Sequence, residues 1–272
     1  MGRVILIEGF PGAGKSTTAQ FLARQLARRG DRARWIYEGE VPNPLVPTPP
    51  AGGYRSWEQF VDLRVARWRA FAAAAGDQDV SVIPESALLQ LPVFTMLRRN
   101  VEPSIIAALV NRLVEAAMPL RPKLVYLARE NPEVAFRAIG ERRGLAWLLH
   151  HVGSHEGCEF IKIRGLCGLE GLLAYWRAHA ELCGALVDQV DLPKLVLEVG
   201  QEGWADRRRR WPRARVPLQR AAHRVGKPIR RLQPNRVMDA CPSGGIVWPW
   251  TSIIMAVTGA PTKAPAGEER DG

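Results

Sequence analysis

Apolar and polar positions along the chain alternate between two periods. Val4-Ile5-Leu6-Ile7 is a short continuous apolar run, the pattern of a strand buried on both faces. From Ser16 to Arg29, Ala19, Leu22, Ala23 and Leu26 recur at helical spacing, and Gly30 is placed to end the helix. A second strand is predicted over Ala33 to Tyr37 and a proline-rich loop over 41–53. Ser56 with Gln59 reads as a capping box for a helix running to about Ala75, with Trp57, Phe60, Val61, Trp68 and Phe71 available to the core. Arg64, Arg67 and Arg69 give that helix a basic side, the usual mark of a solvated face. Asp79 to Pro84 predicts a third strand, and helical segments follow over about 86–99 and 103–118. Residues 123–128 predict a fourth strand. Asn131-Pro132 has the cap and first-position proline of a new helix, which carries Arg137, Arg142 and Arg143 and stops at Gly144. A helix over about 166–189 leads to a last strand, Lys194 to Val199. Five strands alternating with helices predict an α/β fold, a parallel sheet covered on both faces.

Between the first strand and the first helix lies Gly9-Phe10-Pro11-Gly12-Ala13-Gly14-Lys15-Ser16-Thr17. The spacing Gly-x-x-x-x-Gly-Lys-Ser in a strand–loop–helix context is that of a phosphate-binding loop. Glycines let backbone N–H groups turn inward, and the helix N-terminus adds donors and partial positive charge. The candidate nucleotide-binding residues are therefore Gly9, Pro11, Gly12, Ala13, Gly14, Lys15, Ser16 and Thr17. Lys15 is placed for the outer phosphates and the Ser16 hydroxyl for Mg²⁺. A dinucleotide-binding turn is disfavoured because its third glycine would fall at Thr17.

Charge changes the picture only once it is located. The net charge of the 272 residues is +11. Residues 205–272 hold 14 Lys and Arg against 5 Asp and Glu, whereas residues 1–204 hold 24 against 22, so the basic character belongs to the C-terminal stretch. We expect two parts: residues 1–204 as the phosphate-binding domain, and 205–272 as a basic, Arg/Pro-rich, poorly structured extension. Nucleic acid is not expected as a partner of that extension, because aromatics are not interleaved with its basic residues. No signal pattern opens the chain, and the apolar stretch Ile246 to Val257 is too short to span a bilayer. The expectation is a cytoplasmic protein with no membrane partner. Its four cysteines, Cys158, Cys167, Cys183 and Cys241, are expected reduced and buried.

With these residues in view, the chain resembles the P-loop kinases of small molecules and nucleotides. The stretch from Tyr126 to Arg137 looks like the strand and helix preceding the lid of thymidylate-kinase-like proteins, and the likeness covers roughly 1–204. It implies a three-layer P-loop NTPase fold with a five-stranded parallel sheet, ATP and Mg²⁺ as cofactors, and γ-phosphoryl transfer to a small-molecule or nucleotide acceptor. It implies Arg142 and Arg143 as lid arginines, which with Arg137 stabilise charge on the moving phosphoryl group, Glu85 as a second-shell or metal-facing carboxylate at the end of the third strand, and Glu38 as the acceptor's proton acceptor. Where thymidylate-type kinases carry Asp-Arg after the third strand, this chain has Pro84-Glu85-Ser86, which argues against a nucleoside monophosphate acceptor. The competing class is a nucleotide-binding or hydrolysing regulatory protein without an acceptor. The Asp-Glu strand ending or Asn-Lys-x-Asp motif that usually marks the hydrolysing members does not occur.

Overall fold

The computed structural model describes residues 2–200. The extension over 205–272 and Cys241 lie outside the described residues. A five-stranded parallel sheet has the order β2-β3-β1-β4-β5, with β1 Arg3–Gly9, β2 Ala33–Ile36, β3 Ser81–Pro84, β4 Lys123–Ala128 and β5 Lys194–Glu198. The most apolar run of the sequence thus becomes the central strand. Every residue of β1 from Val4 to Gly9 is buried, as are all four of β3, so both faces of the sheet are covered.

The helices are α1 Lys15–Arg28, α2 Trp57–Gly76, α3 Gln90–Leu97, α4 Pro103–Ala117, α5 Pro132–Arg143, α6 Leu145–Glu156, α7 Glu159–Ile163 and α8 Gly168–Gln189. Local chemistry accounts for several ends. The Ser56 Oγ accepts from Gln59 N (3.2 Å), but Gln59 Oε1 accepts from Arg55 N (2.7 Å) rather than closing the box on Ser56 itself. The Asn131 Oδ1 accepts from Val134 N (3.0 Å), and α5 ends at Gly144 as its spacing predicts. Helix α4 and the short 3-10 turn that follows it, Met118–Leu120, together form an 18-residue apolar window, Pro103–Leu120, of membrane-spanning length. Ile106, Leu109, Val110 and Leu113 bury its stripe in the protein core against α2 and α3, as in the core helix of a globular domain.

Four sequence expectations change. Residues 86–89 are not helical; they turn sharply, with Ser86 at φ 61, before α3 begins. Helices α6 and α7 have no counterpart in the sequence reading. Arg64 is not on a solvated face: it is 3 % exposed, beneath α2 beside the Phe60 ring (5.5 Å). Its Nε and Nη2 have no partner, and burial brings its pKa down to about 10. Arg67 and Arg69 are exposed as expected. Of the described cysteines, Cys158 and Cys183 are buried and Cys167 is exposed, which corrects the expectation for Cys167.

Candidate functional site

The carboxyl ends of β1, β3 and β2 meet at the phosphate loop. Gly14 begins α1 in the left-handed conformation (φ 95), and no side chain caps the helix, so its first-turn amides are left to the loop. Gly12 is also left-handed (φ 70), and a Cβ there would sit 2.6 Å from Ile139 Cδ1. Helix α5 therefore closes on the loop where only glycine fits. Pro11, Gly12, Gly14, Lys15, Ser16 and Thr17 line a cleft of about 630 Å³, whereas Gly9 ends β1 and Ala13 is buried beneath the loop.

Lys15 is buried, and its Nζ donates to Phe10 O (3.2 Å). Burial lowers its pKa, opposed by the negative charges of Glu38, Glu8 and Glu85. The Ser16 Oγ donates to Glu85 Oε1 (3.0 Å), joining α1 to the end of β3. Glu85 Oε2 is buried with no partner. Desolvation raises the Glu85 pKa, opposed by the Ser16 hydrogen bond and the Lys15 charge. The Ser16 hydroxyl and the single Glu85 carboxylate, with its unpaired Oε2, are hard oxygen donors of the kind Mg²⁺ takes beside waters and phosphate oxygens, so the residues present fit that ion.

Glu38, two residues beyond β2, lines the cleft, and its Oε2 faces Gln90 Nε2 at 3.5 Å. Arg142 and Arg143 line the cleft from α5. The Arg142 guanidinium is 3.9 Å from the position a Gly12 Cβ would take, and the Arg143 guanidinium lies 5.5 Å from the Trp147 ring centre. Arg137 does not join them. It is exposed and does not line the cleft, because residues 135, 136, 139 and 140 hold the inward face of α5. The 41–53 loop supplies no lining residue; Leu45 is buried and Asn43 ties the loop to Tyr37 O (3.2 Å).

Sequence reasoning missed Glu8. It is fully buried on β1; its Oε1 accepts from Leu88 N (2.6 Å) and its Oε2 from Gln90 N (3.0 Å). Helix α3 has no cap of its own, so Glu8 serves as its N-terminal acceptor from across the sheet. Desolvation raises the Glu8 pKa to about 7, against those amide bonds and the Lys15 charge. An acid just inside the end of an apolar strand was the available signal. Arg129, beyond β4, was also missed: it donates to Gly12 O (3.0 Å) and to Val199 O (2.8 Å), fastening the loop to the end of β5.

Beyond Glu38 the cleft is aromatic. Trp176 stacks between Phe94 (5.8 Å, 25°) and Phe136 (5.7 Å, 24°), and Trp147 covers His151 (3.9 Å, 31°). The elements holding these rings are α3, α5, α6 and α8, two helices of which the sequence pattern had placed only partly or not at all.

No family model matches the chain, and no curated protein does. Among solved structures, a thymidylate kinase from Candida albicans is 16 % identical, covering 74 % of this chain and 85 % of its own, with a TM-score of 0.43. A shikimate kinase from Bacteroides thetaiotaomicron is 15 % identical over 72 % and 86 %, with a TM-score of 0.36. A sugar kinase from Janibacter sp. is 18 % identical over 74 % and 88 %, with a TM-score of 0.37. These likenesses are too distant to transfer a substrate; the chain's own strand order and phosphate loop make it a P-loop α/β fold.

Proposed function

We propose that this protein is a phosphotransferase that moves the γ-phosphoryl group of ATP to a small-molecule hydroxyl. One observation carries the reading: the Ser16–Glu85 pair stands beside the phosphate loop, and the cleft continues past it to Glu38 and an aromatic chamber. A phosphate loop alone serves hydrolysis; a second compartment beyond it gives an acceptor a place to sit.

Mg²⁺–ATP, when bound, would supply the phosphoryl group and metal charge neutralisation, and Ser16, Glu85 and the loop amides would hold it. Lys15 offsets charge on the outer phosphates, and Arg142 adds charge at the Gly12 side. Glu38 accepts the proton of the acceptor hydroxyl as its oxygen bonds to phosphorus and the bond to the ADP oxygen breaks. Arg143 stays on the Trp147 ring, and Arg137 has no part. Gln90 orients Glu38 from the first turn of α3, which Glu8 holds in place.

The test is ADP release from Mg²⁺–ATP by purified protein, screened against nucleosides, nucleotides, sugars and aminoglycosides. Stimulation by one class supports transfer. Equal ADP release with and without every acceptor supports the hydrolysing, regulatory alternative instead.

A further inference from the structure

Three side chains lining the cleft keep a shielded polar atom without any protein partner: Gln90 Oε1, His155 Nε2 and Trp176 Nε1. Trp176 is 5 % exposed and His155 2 %, so these are buried groups rather than surface ends awaiting bulk water. Buried polar atoms are normally paired, so each of these exceptions calls for a partner, and the cleft beside them gives a ligand room to supply it. Their roles differ. The indole N–H only donates. His155 Nδ1 donates to His151 O (2.8 Å), which leaves Nε2 as an acceptor. Burial holds that imidazole neutral, with a pKa of about 4.

The surroundings narrow the ligand further. The stacked Phe94–Trp176–Phe136 rings favour a flat apolar body. Arg98, Arg142 and Arg143 line the same cleft, and among the described residues Glu38 is the one acid lining it, placed at the Lys15 end. A polycationic acceptor meets repulsion there. The guanidinium of Arg98 is already committed, to Ser154 O (2.5 Å) and the Phe94 face (5.3 Å).

We propose that the aromatic end of the cleft selects a neutral heteroaromatic alcohol, whose ring edge presents an acceptor to Trp176 Nε1 and a donor to His155 Nε2, with Gln90 Oε1 taking a further donor. Because these atoms are shielded, the proposal requires a lining ring to rotate on binding, a side-chain change of a kind common at binding sites. The proposal rests on the phosphotransferase reading for the alcohol, but the ring subsite stands or falls on binding alone.

Calorimetry on the full chain separates the two. Nucleosides serve as the neutral heteroaromatic alcohols, nucleoside monophosphates as their charged counterparts, and hexoses and aminoglycosides as ringless or cationic controls; each is titrated with and without Mg²⁺–ATP analogue. The expected result is binding of at least one nucleoside above all hexoses and aminoglycosides. Trp176→Phe, which keeps the stack and removes the N–H, weakens that binding roughly tenfold, the loss of one buried hydrogen bond. His155→Phe does likewise, and neither changes Mg²⁺–ATP analogue affinity by more than about twofold. Preference for a hexose, an aminoglycoside or only the monophosphates overturns the proposal, and so do parent affinities in both folded variants. A protein that binds nucleosides but no Mg²⁺–ATP keeps the ring subsite and loses the phosphotransferase reading.

Discussion

Replacing Gly12 with alanine tests whether α5 is seated on the phosphate loop. Two costs follow from the structure. At φ 70 an alanine sits in the left-handed region, which costs roughly 1–2 kcal/mol. Its Cβ would also lie 2.6 Å from Ile139 Cδ1 and 2.8 Å from Cγ1, and overpacking of this kind costs about 1–3 kcal/mol. The expected destabilisation by urea unfolding is therefore about 2–5 kcal/mol, a large share of a typical domain's ~5–15 kcal/mol. The two terms are separable. Ile139→Ala leaves a cavity of its own but removes both clashing carbons, so Gly12→Ala with Ile139→Ala should be less destabilised than the sum of the single variants by about 1–3 kcal/mol. Additivity within about 0.5 kcal/mol would mean that α5 does not rest on the loop in solution, and the position assigned to Arg142 would go with it.

Lys15→Ala should abolish phosphoryl transfer, read as ADP release, while far-UV circular dichroism and the urea midpoint stay close to the parent's; unchanged turnover would refute the role of Lys15. Glu8→Ala strips the Leu88 and Gln90 amides of their buried acceptor and should cost about 2 kcal/mol or more in urea unfolding. It should also lower turnover by releasing the segment between Glu85 and Gln90; a variant as stable as the parent would refute the anchoring. Stability should fall on acidification from pH 6.5 to 4.5. His155 and His179, both lowered to about 4 by burial, take up protons only when the chain unfolds, so each contributes stability that is lost as pH falls. Glu8, raised to about 7, keeps a proton in the fold that the unfolded chain has released, and so offsets one of them. Glu85, also raised by desolvation, opposes the histidines in the same sense, so the net slope is less than the roughly 1.4 kcal/mol per pH unit of one uncompensated site, and a stability that rises on acidification in urea titrations would contradict it.

Much of the fold was legible because its signals are local. The apolar run of β1, the Gly-Lys-Ser spacing, the Ser56 cap and the Asn131-Pro132 start each need only a few neighbouring residues to act. The unread parts depend on residues far apart in sequence. Glu8 meets Leu88 and Gln90 only because the sheet order sets β3 beside β1. Arg64 was visible in principle, since it shares the stripe of Phe60 and Trp68 at four-residue spacing, yet its charge argued for solvent. Helix α6 escaped because Leu145 and Leu149 are exposed while His155 is buried, the reverse of the usual pattern. The chamber was hidden for the same reason: its rings come from four helices and converge only once α8 packs across them. Arg142 and Arg137 look alike in sequence and part company on the helix, one facing the cleft and the other away.

The central claim is that the loop from Gly9 to Thr17 holds a nucleoside triphosphate with its metal. Isothermal titration of Mg²⁺–ATP into the purified protein tests it most directly. The account predicts saturable binding near one equivalent that weakens when EDTA removes the metal and when Glu85 is changed to Gln. Absence of binding by folded protein, for Mg²⁺–ATP and Mg²⁺–GTP alike, would contradict it.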